Sequence, residues 1–227
     1  MKRYLFLFTL LSVMSLFSSC EIDNYPPPDA TVSGTVIDNA TGKPLITEPY
    51  GFRIRMEEIS WSETPTPRYI NGYVDGTFND KSYFAGTYLA SAENGAFVVS
   101  AKQTITVDAK KTTTVNFSVD PYIRFDNVSI VKEGATVKAT FTLFKFVPNA
   151  SPVDYAVIAH RSSPYFGMSD NQVSSGRIRL TEADFGVQKV VTLSNFQAGR
   201  TYYVRIAAYC TNTAGRYNYS EVVAIQM

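Results

Sequence analysis

Residues 193–208 have the sequence Leu193-Ser-Asn-Phe196-Gln-Ala-Gly199-Arg-Thr-Tyr202-Tyr-Val204-Arg-Ile206-Ala-Ala208. From Tyr202 onward, apolar residues recur at every second position, which is the period of a β-strand with one buried face. We predict a strand here, with Val204, Ile206 and Ala208 pointing into a core. This segment gives the clearest indication of the fold.

The same period of two recurs along most of the chain, whereas almost no stretch has helical periodicity. Examples are Val32/Gly34/Val36, Phe52/Ile54/Met56, Phe97/Val99/Ala101, Val115/Phe117/Val119 and Val137/Ala139/Phe141/Leu143. The composition agrees with this pattern, since the chain has 15 Tyr and 15 Phe against one Trp and one His. Many short strands separated by turn residues predict an all-β protein built of sandwiches or barrels.

The C-terminal half resembles a fibronectin type III domain. Residues 193–208 match that family's order of leucine, apolar residue, glycine, tyrosine and alternating strand, with Ala198 where proline is common. The resemblance implies a β-sandwich in which Tyr202 is the tyrosine-corner residue, with its hydroxyl bonded back to the preceding turn. The last strand is predicted at residues 221–226.

The N-terminal half opens with a strand and a turn in residues 31–45. Asp38 and Asn39 favour a turn start, and Gly42 can adopt a positive φ. This segment resembles the opening of carboxypeptidase-regulatory-like, transthyretin-like domains, and residues 75–88 are similar to a later turn and strand of such modules. The resemblance implies a small Greek-key sandwich of a kind that usually serves as a stalk or spacer.

A short seam, Val119-Asp120-Pro121-Tyr122, separates the two halves. Pro121 has no N–H for a strand ladder and favours an extended conformation at Asp120. We therefore predict two tandem β-sandwich domains, residues 31–120 and 121–227. The short linker predicts a restricted relative orientation.

The N-terminus has the pattern of an export signal. Two positive residues and the apolar run 4–17 precede Ser18, Ser19 and Cys20, and the apolar run is too short to span a bilayer comfortably. We predict a signal peptide at residues 1–19. The end of this segment resembles a bacterial lipobox, which implies lipidation of Cys20, although an ordinary secreted protein with an incidental cysteine is the alternative.

Residues 20–30 are predicted to form a tether. Three consecutive prolines favour a semi-rigid, extended spacer, and ten such residues span about 30 Å. Glu21 and Asp23 resemble the acidic signals that send Bacteroidetes lipoproteins to the cell surface. We therefore expect a lipid-anchored protein of the outer membrane that faces the cell exterior.

Taken together, these features resemble a domain-of-unknown-function family of Bacteroidetes surface lipoproteins. The similarity is strongest in residues 31–45, 75–88, 115–124 and 200–225. Such proteins are often encoded beside starch-utilisation-type transporter pairs. The resemblance implies a non-catalytic accessory that binds an oligo- or polysaccharide, with an outer-membrane transporter and its surface lipoprotein as further partners. The family provides no catalytic residues.

Candidate ligand-binding residues are aromatic or basic residues in predicted loops, where a rigid scaffold can display them. They are Trp61, Tyr69, Tyr73, Tyr165, Phe166, Arg216, Tyr217 and Tyr219. Trp61 could instead fill the core of the first sandwich or lie in an interface, and Phe166 could pack under its own loop. The residues from Arg216 to Tyr219 could line an inter-domain cleft or hold the two domains together.

Several function classes are disfavoured by the composition. The formal net charge is +1 and no basic run is longer than a pair, which argues against nucleic acid as a partner. No residue spacing indicates a transition-metal site or a cofactor. Calcium at Asp75, Asn79 and Asp80 is left open as an alternative.

An enzymatic function is not predicted. Cys210 has no partner if Cys20 is lipidated, and its strand context favours a packing role. The single histidine, His160, is interpreted as structural. Carboxylate chemistry would need two acids across a cleft, and solvated loop charge explains Glu57, Glu58 and Glu63 better.

The alternative to glycan binding is an adhesin or a structural component of surface complexes or pili. Glycan binding predicts an exposed aromatic platform, whereas an adhesin predicts apolar edge strands or a strand-exchange groove. The loop aromatics favour glycan binding.

Overall fold

The computed structural model describes residues 26–227, and this part of the chain is all-β, as predicted. The predicted signal peptide (1–19), the predicted lipidation site Cys20 and the first half of the tether lie outside the described residues. Within residues 26–227, no helix is long and apolar enough to cross a membrane.

The first eight strands form two facing sheets. They are β1 (Ala30–Asp38), β2 (Arg53–Glu58), β3 (Arg68–Asn71), β4 (Thr77–Tyr83), β5 (Gly86–Glu93), β6 (Gln103–Val107), β7 (Thr112–Thr114) and β8 (Phe117–Val119). One sheet has β1 at its centre, flanked by β4 on one side and by β7 and β8 on the other; the second has the order β3-β2-β5-β6. The alternating apolar residues of both sheets meet in one core that includes Phe52, Phe78 and Phe117.

The remaining strands form a second sandwich with its own core. They are β9 (Ile123–Glu133), β10 (Thr136–Lys145), β11 (Pro152–His160), β12 (Val173–Ser174), β13 (Ile178–Arg179), β14 (Gln188–Leu193), β15 (Thr201–Cys210), β16 (Asn218–Tyr219) and β17 (Val223–Gln226). A 3-10 turn at Glu182–Asp184 precedes β14. The sheet β14-β10-β9 faces a sheet centred on β11 and β15.

The details predicted for β15 are present in the structure. Val204, Ile206 and Ala208 are fully buried, and the Tyr202 hydroxyl accepts a hydrogen bond from the Gln197 N–H at 3.1 Å. Cys210 is also buried, and burial raises the pKa of its thiol to about 11. It therefore packs as a small apolar residue.

Polar side chains connect the two sandwiches on both sides of the seam. Arg124 of β9 makes a bidentate contact with the Asp38 carboxylate at the end of β1, with distances of 2.6 and 2.5 Å. Asn218 donates to the carbonyl of Ala96 in the first sandwich and accepts from the N–H of Ile123. These contacts fix the orientation of one sandwich relative to the other.

Candidate functional site

A buried arginine lies at the centre of the contact between the sandwiches. Arg205 extends from β15 and has 0% exposure, and its Nη1 donates to the Thr47 carbonyl at 2.8 Å. Its guanidinium carbon lies 3.9 Å from the ring centroid of Tyr219 and 4.8 Å from that of Phe166. Burial lowers the pKa of Arg205 to about 10, so the group stays charged at neutral pH and is stabilised by the two rings.

Glu48 of the first sandwich supplies the matching negative charge. Its Oε2 accepts a 2.7 Å hydrogen bond from the Tyr219 hydroxyl, and its Oε1 accepts one of 2.8 Å from Arg216. The Tyr219 hydroxyl accepts in turn from the Met168 N–H. Burial and the adjacent Glu48 charge raise the pKa of Tyr219 well above its usual range. We call Glu48, Arg205, Arg216 and Tyr219 the inter-domain clamp.

Gly167 allows the loop of the second sandwich to approach the clamp closely. A Cβ at this position would lie 2.3 Å from Oε2 of Glu48 and 3.0 Å from its Cβ, so a larger residue would displace the carboxylate. The neighbouring Phe166 is fully buried and packs against Arg205 of β15, so its ring is not displayed to a ligand. Gly167 thereby brings this loop into contact with Glu48 of the first sandwich.

The clamp also positions a turn of the first sandwich, Glu48-Pro49-Tyr50-Gly51. The Gly51 N–H donates to the Glu48 carbonyl at 2.8 Å, and Tyr50 has a φ of +56°. An aromatic residue rarely adopts this left-handed conformation, which glycine or asparagine tolerates better. The hydrogen bond from Gly51 to Glu48 closes the turn with Tyr50 near its tip, where its side chain is exposed to solvent.

Three exposed tyrosines line one groove at this junction, with a volume of about 350 Å³. Tyr50 and Tyr73 come from the first sandwich and Tyr165 from the second, with exposures of 66%, 52% and 68%. We call this the tyrosine groove; its other lining residues are Pro49, Gly72, Val74, Asp75 and Thr77. The groove thus combines aromatic surface with a few polar groups, which is the usual composition of a ligand site.

The polar side of the groove is a tight turn. Asp75 Oδ1 accepts from both the N–H and the hydroxyl of Thr77, at 3.0 and 2.7 Å. The Tyr73 N–H donates to the Thr77 carbonyl at 2.8 Å. The second carboxylate oxygen, Oδ2, makes no hydrogen bond to any residue of 26–227 and is available to a ligand hydroxyl.

A second aromatic groove, of about 480 Å³, surrounds Trp61 at the other end of the first sandwich. Trp61 is 72% exposed, so the alternative that it fills the core is wrong. Arg68 forms part of this groove, and its guanidinium lies 4.4 Å from the ring centroid of the buried Tyr83 and 2.9 Å from Asp80. We call this the Trp61 groove; it is lined by Met56, Glu58, Trp61, Thr66, Arg68, Tyr83, Phe84 and Tyr88.

The candidate residues named from the sequence therefore lie at several separate places in the structure. Tyr73 and Tyr165 share the tyrosine groove, Trp61 lies in the Trp61 groove, and Tyr69 lies on β3 beneath the Arg53 guanidinium at 3.8 Å. Tyr219 and Arg216 belong to the clamp, so they hold the domains together.

Tyr217 belongs to neither groove. Its ring centroid lies 5.0 Å from that of Tyr209, and burial together with the adjacent Asp154 raises the pKa of Tyr217 to about 12.

Sequence reasoning missed Tyr50, Glu48 and Arg205. The Glu-Pro-Tyr-Gly order indicates a turn, which could have suggested an exposed Tyr50. Arg205 occupies the outward-facing position of its strand, between the buried Val204 and Ile206. Periodicity alone predicts a solvent-exposed arginine there, since the pattern contains no sign that another domain covers that face.

The acidic residues and the histidine have structural contacts. Glu57 lies on β2 and bonds to Arg55 and Lys102, both at 2.7 Å, and these hydrogen bonds lower its pKa. The expectation that solvated loop charge explains Glu57 is therefore wrong, because the residue is a buried ion-pair partner on a strand. Nδ1 of His160 accepts the N–H groups of Ser162 and Ser163. Among residues 26–227, no group of three or more His, Cys, Asp or Glu residues could hold a metal ion.

The fold and this junction place the chain in a structural class of all-β proteins: two joined β-sandwiches with an aromatic groove between them. No family model matches the chain, and no curated protein matches it.

Solved structures with the same fold come from Bacteroides and Parabacteroides species. A DUF3823 family protein of Bacteroides uniformis has a TM-score of 0.74 at 21% identity, and one of Parabacteroides merdae has 0.71 at 22%; each match covers 88% of this chain and 100% of the other. Another B. uniformis protein, named as a candidate carbohydrate binding protein, has a TM-score of 0.70 at 24% identity with the same coverage.

Proposed function

We propose that the chain is a non-catalytic, lipid-anchored protein of the outer-membrane surface that binds an oligo- or polysaccharide in the tyrosine groove. The observation that carries this proposal is the convergence of three exposed tyrosine rings, from both sandwiches, on one groove. Sugar rings have apolar C–H faces that pack on aromatic rings, and their hydroxyls need fixed polar partners. Asp75 and Thr77 supply those partners beside Tyr73.

The backbone on both sides of the groove adjoins the inter-domain clamp. Glu48 lies two residues before Tyr50 and packs against Gly167, two residues after Tyr165, so the clamp positions the two segments that carry these tyrosines. Preorganisation of this kind lowers the entropic cost of binding. The left-handed Tyr50 is a local strain of about 1–3 kcal/mol, and such strain is often retained where it serves a binding site.

A binding function suits this groove better than hydrolysis. Of the described residues that line it, Asp75 is the only carboxylate, whereas glycoside hydrolysis ordinarily requires two acids across the substrate. The name of one solved neighbour, a candidate carbohydrate binding protein, points the same way. We extend the proposal to anchoring through Cys20 and to action beside an outer-membrane transporter and its surface lipoprotein.

The edge strands give less support to an adhesin that works by strand exchange. On β9, the pairing with β10 shifts register near Asn127, which has a φ of +50°. A bulge of this kind twists an edge strand and discourages pairing with another chain. Glycan binding therefore remains the function that the geometry supports best.

The test is affinity electrophoresis of the chain from residue 20 onward, with Cys20→Ser to keep it soluble, in gels that contain plant or host polysaccharides. We expect at least one polysaccharide to retard the protein. Tyr165→Ala should abolish the retardation, because it removes one ring of the groove without touching the clamp.

Trp61→Ala is the matched control, since it also removes an exposed aromatic side chain but lies in the other groove. It should leave the retardation unchanged. If no polysaccharide retards the protein, or if Trp61→Ala abolishes the retardation and Tyr165→Ala does not, the tyrosine groove is not a glycan site.

A further inference from the structure

Three exposed apolar side chains lie at the end of the first sandwich that carries Trp61. They are Ile59, Trp61 and Phe84. The loop after β2 is joined to β5 here, because the Ile59 N–H donates to the Thr87 carbonyl at 2.8 Å and the Thr87 N–H donates to Ser60 Oγ at 2.6 Å. Trp61 and Phe84 line the same groove. We call these three residues the tether-end patch.

The patch lies where the N-terminal tether enters the fold. Ala30, the first residue of β1, pairs with Tyr83, the residue that precedes Phe84. Cys20 is ten residues before Ala30, so an extended tether spans at most about 30 Å between lipid and sandwich. In a protein anchored at Cys20, this end of the molecule would therefore be the one nearest the membrane, and a tether lying along the lipid surface would let it make contact.

The charges around the patch are mixed. Lys81, Lys110 and Lys111 are exposed at this end, and the turn 110–111 is fixed there by Lys110 N–H to Asp29 and Thr31 N–H to Lys111 O. Glu63, Asp29 and Asp108 are also exposed and offset them. A large electrostatic attraction to anionic headgroups is therefore absent from this end of the described fold, and apolar contact is the main driving force available.

We propose that the tether-end patch rests in the headgroup region of the lipid surface to which the chain is anchored. Tryptophan is well suited to that region because its ring is apolar and its indole N–H stays near water. Three apolar side chains bind a bilayer weakly on their own. The tether makes the contact intramolecular, so a weak contact is sufficient.

This contact would set the orientation of the whole protein. β1 runs from the tether end to the second sandwich over nine residues, about 30 Å. Thr35 near its far end pairs with Thr77, which lines the tyrosine groove. With the patch on the membrane, the tyrosine groove and the second sandwich face away from it. The inference rests on the lipid anchor that forms part of the proposed function.

The experiment uses the fact that Trp61 is the only tryptophan in the chain. The chain from residue 20 onward is coupled through Cys20 to maleimide-lipid in phosphatidylcholine vesicles; Cys210 is buried and is spared. We expect the tryptophan emission to shift to shorter wavelength than in the uncoupled protein. Brominated phosphatidylcholine should quench it at least twofold, with little dependence on salt.

The matched variant Ile59→Asp/Phe84→Asp keeps Trp61 and should show neither the shift nor the quenching. Circular dichroism of this variant establishes that the sandwiches remain folded. Unshifted and unquenched emission in the parent protein, or quenching that persists in the variant, would overturn the proposal. Glycan binding is measured separately, without lipid. The two proposals can therefore fail independently of each other.

Discussion

The two ends of the first sandwich both expose aromatic side chains, but they hold them in different ways. At the tyrosine groove, the segments that carry Tyr50 and Tyr165 meet at the buried Glu48 carboxylate of the inter-domain clamp. At the tether end, Trp61 lies on an irregular loop that is joined to β5 by local hydrogen bonds. Buried polar groups specify geometry at a cost in stability, whereas a surface patch that contacts lipid needs little fixed geometry.

The largest loss of stability is expected when the Glu48 carboxylate is removed from the clamp. Glu48→Ala should lower the free energy of unfolding by about 3–5 kcal/mol, because it leaves the buried Arg205 and the Tyr219 hydroxyl without their charged partner. Urea denaturation followed by circular dichroism measures the change. Glu63→Ala, an exposed acid in the Trp61 loop, is the control and should change the value by less than about 0.5 kcal/mol. A loss below about 1 kcal/mol for Glu48→Ala would show that the clamp does not hold the junction.

A smaller loss of stability is expected when the Glu48 carboxylate is displaced but still present. Gly167→Ala places a Cβ against the Glu48 carboxylate and should cost about 1–3 kcal/mol. Glycan retention should also weaken, although every side chain of the tyrosine groove is unchanged. In a Glu48→Ala background the same substitution should cost almost nothing, and a double-mutant cycle measures that difference. Equal costs in both backgrounds would contradict the close contact.

Tyr50→Asn should separate binding from stability. Asparagine tolerates a left-handed backbone, so the free energy of unfolding should stay the same or rise by up to about 1 kcal/mol, while glycan retention falls. Tyr69→Asn is the control on a regular strand and should lower stability, because it removes the ring beneath Arg53. Thermal denaturation and affinity electrophoresis of both variants provide the measurement. A marked loss of stability in Tyr50→Asn would mean that the tyrosine serves packing.

The smallest loss of stability is expected at the ion pair of Asp184 and Lys189, which lies outside the tyrosine groove and the tether end. A hydrogen bond from Lys189 and two from Thr181 lower the pKa of Asp184 from 3.8 to about 2. The folded-state pKa is depressed, so this stabilisation is present above pH ~4 and is lost as the pH falls toward 2. Because the group is close to solvent, Asp184→Asn should cost less than about 1 kcal/mol at pH 7. Thermal denaturation should show that difference closing by pH 2; a constant difference would contradict the assignment.

The sequence predicted those parts of the fold that depend on local pattern. The alternation around Val204 and Ile206 is a property of one strand, and the Tyr202 corner accompanies a sequence signature of a few residues. The tyrosine groove could be predicted only in part. Tyr73 and Tyr165 lie 92 positions apart, and their meeting depends on Arg205 and Glu48, whose burial arises from docking of the second sandwich.

The central claim is that tyrosines from both sandwiches contribute to a single glycan site. Isothermal titration calorimetry of the retained glycan on the double variant Tyr73→Ala/Tyr165→Ala tests it most directly, with Trp61→Ala alongside. We predict that the binding heat disappears in the double variant and that the affinity of Trp61→Ala stays within twofold of the parent. Binding of undiminished affinity to the double variant would contradict the account and place the glycan elsewhere on the molecule.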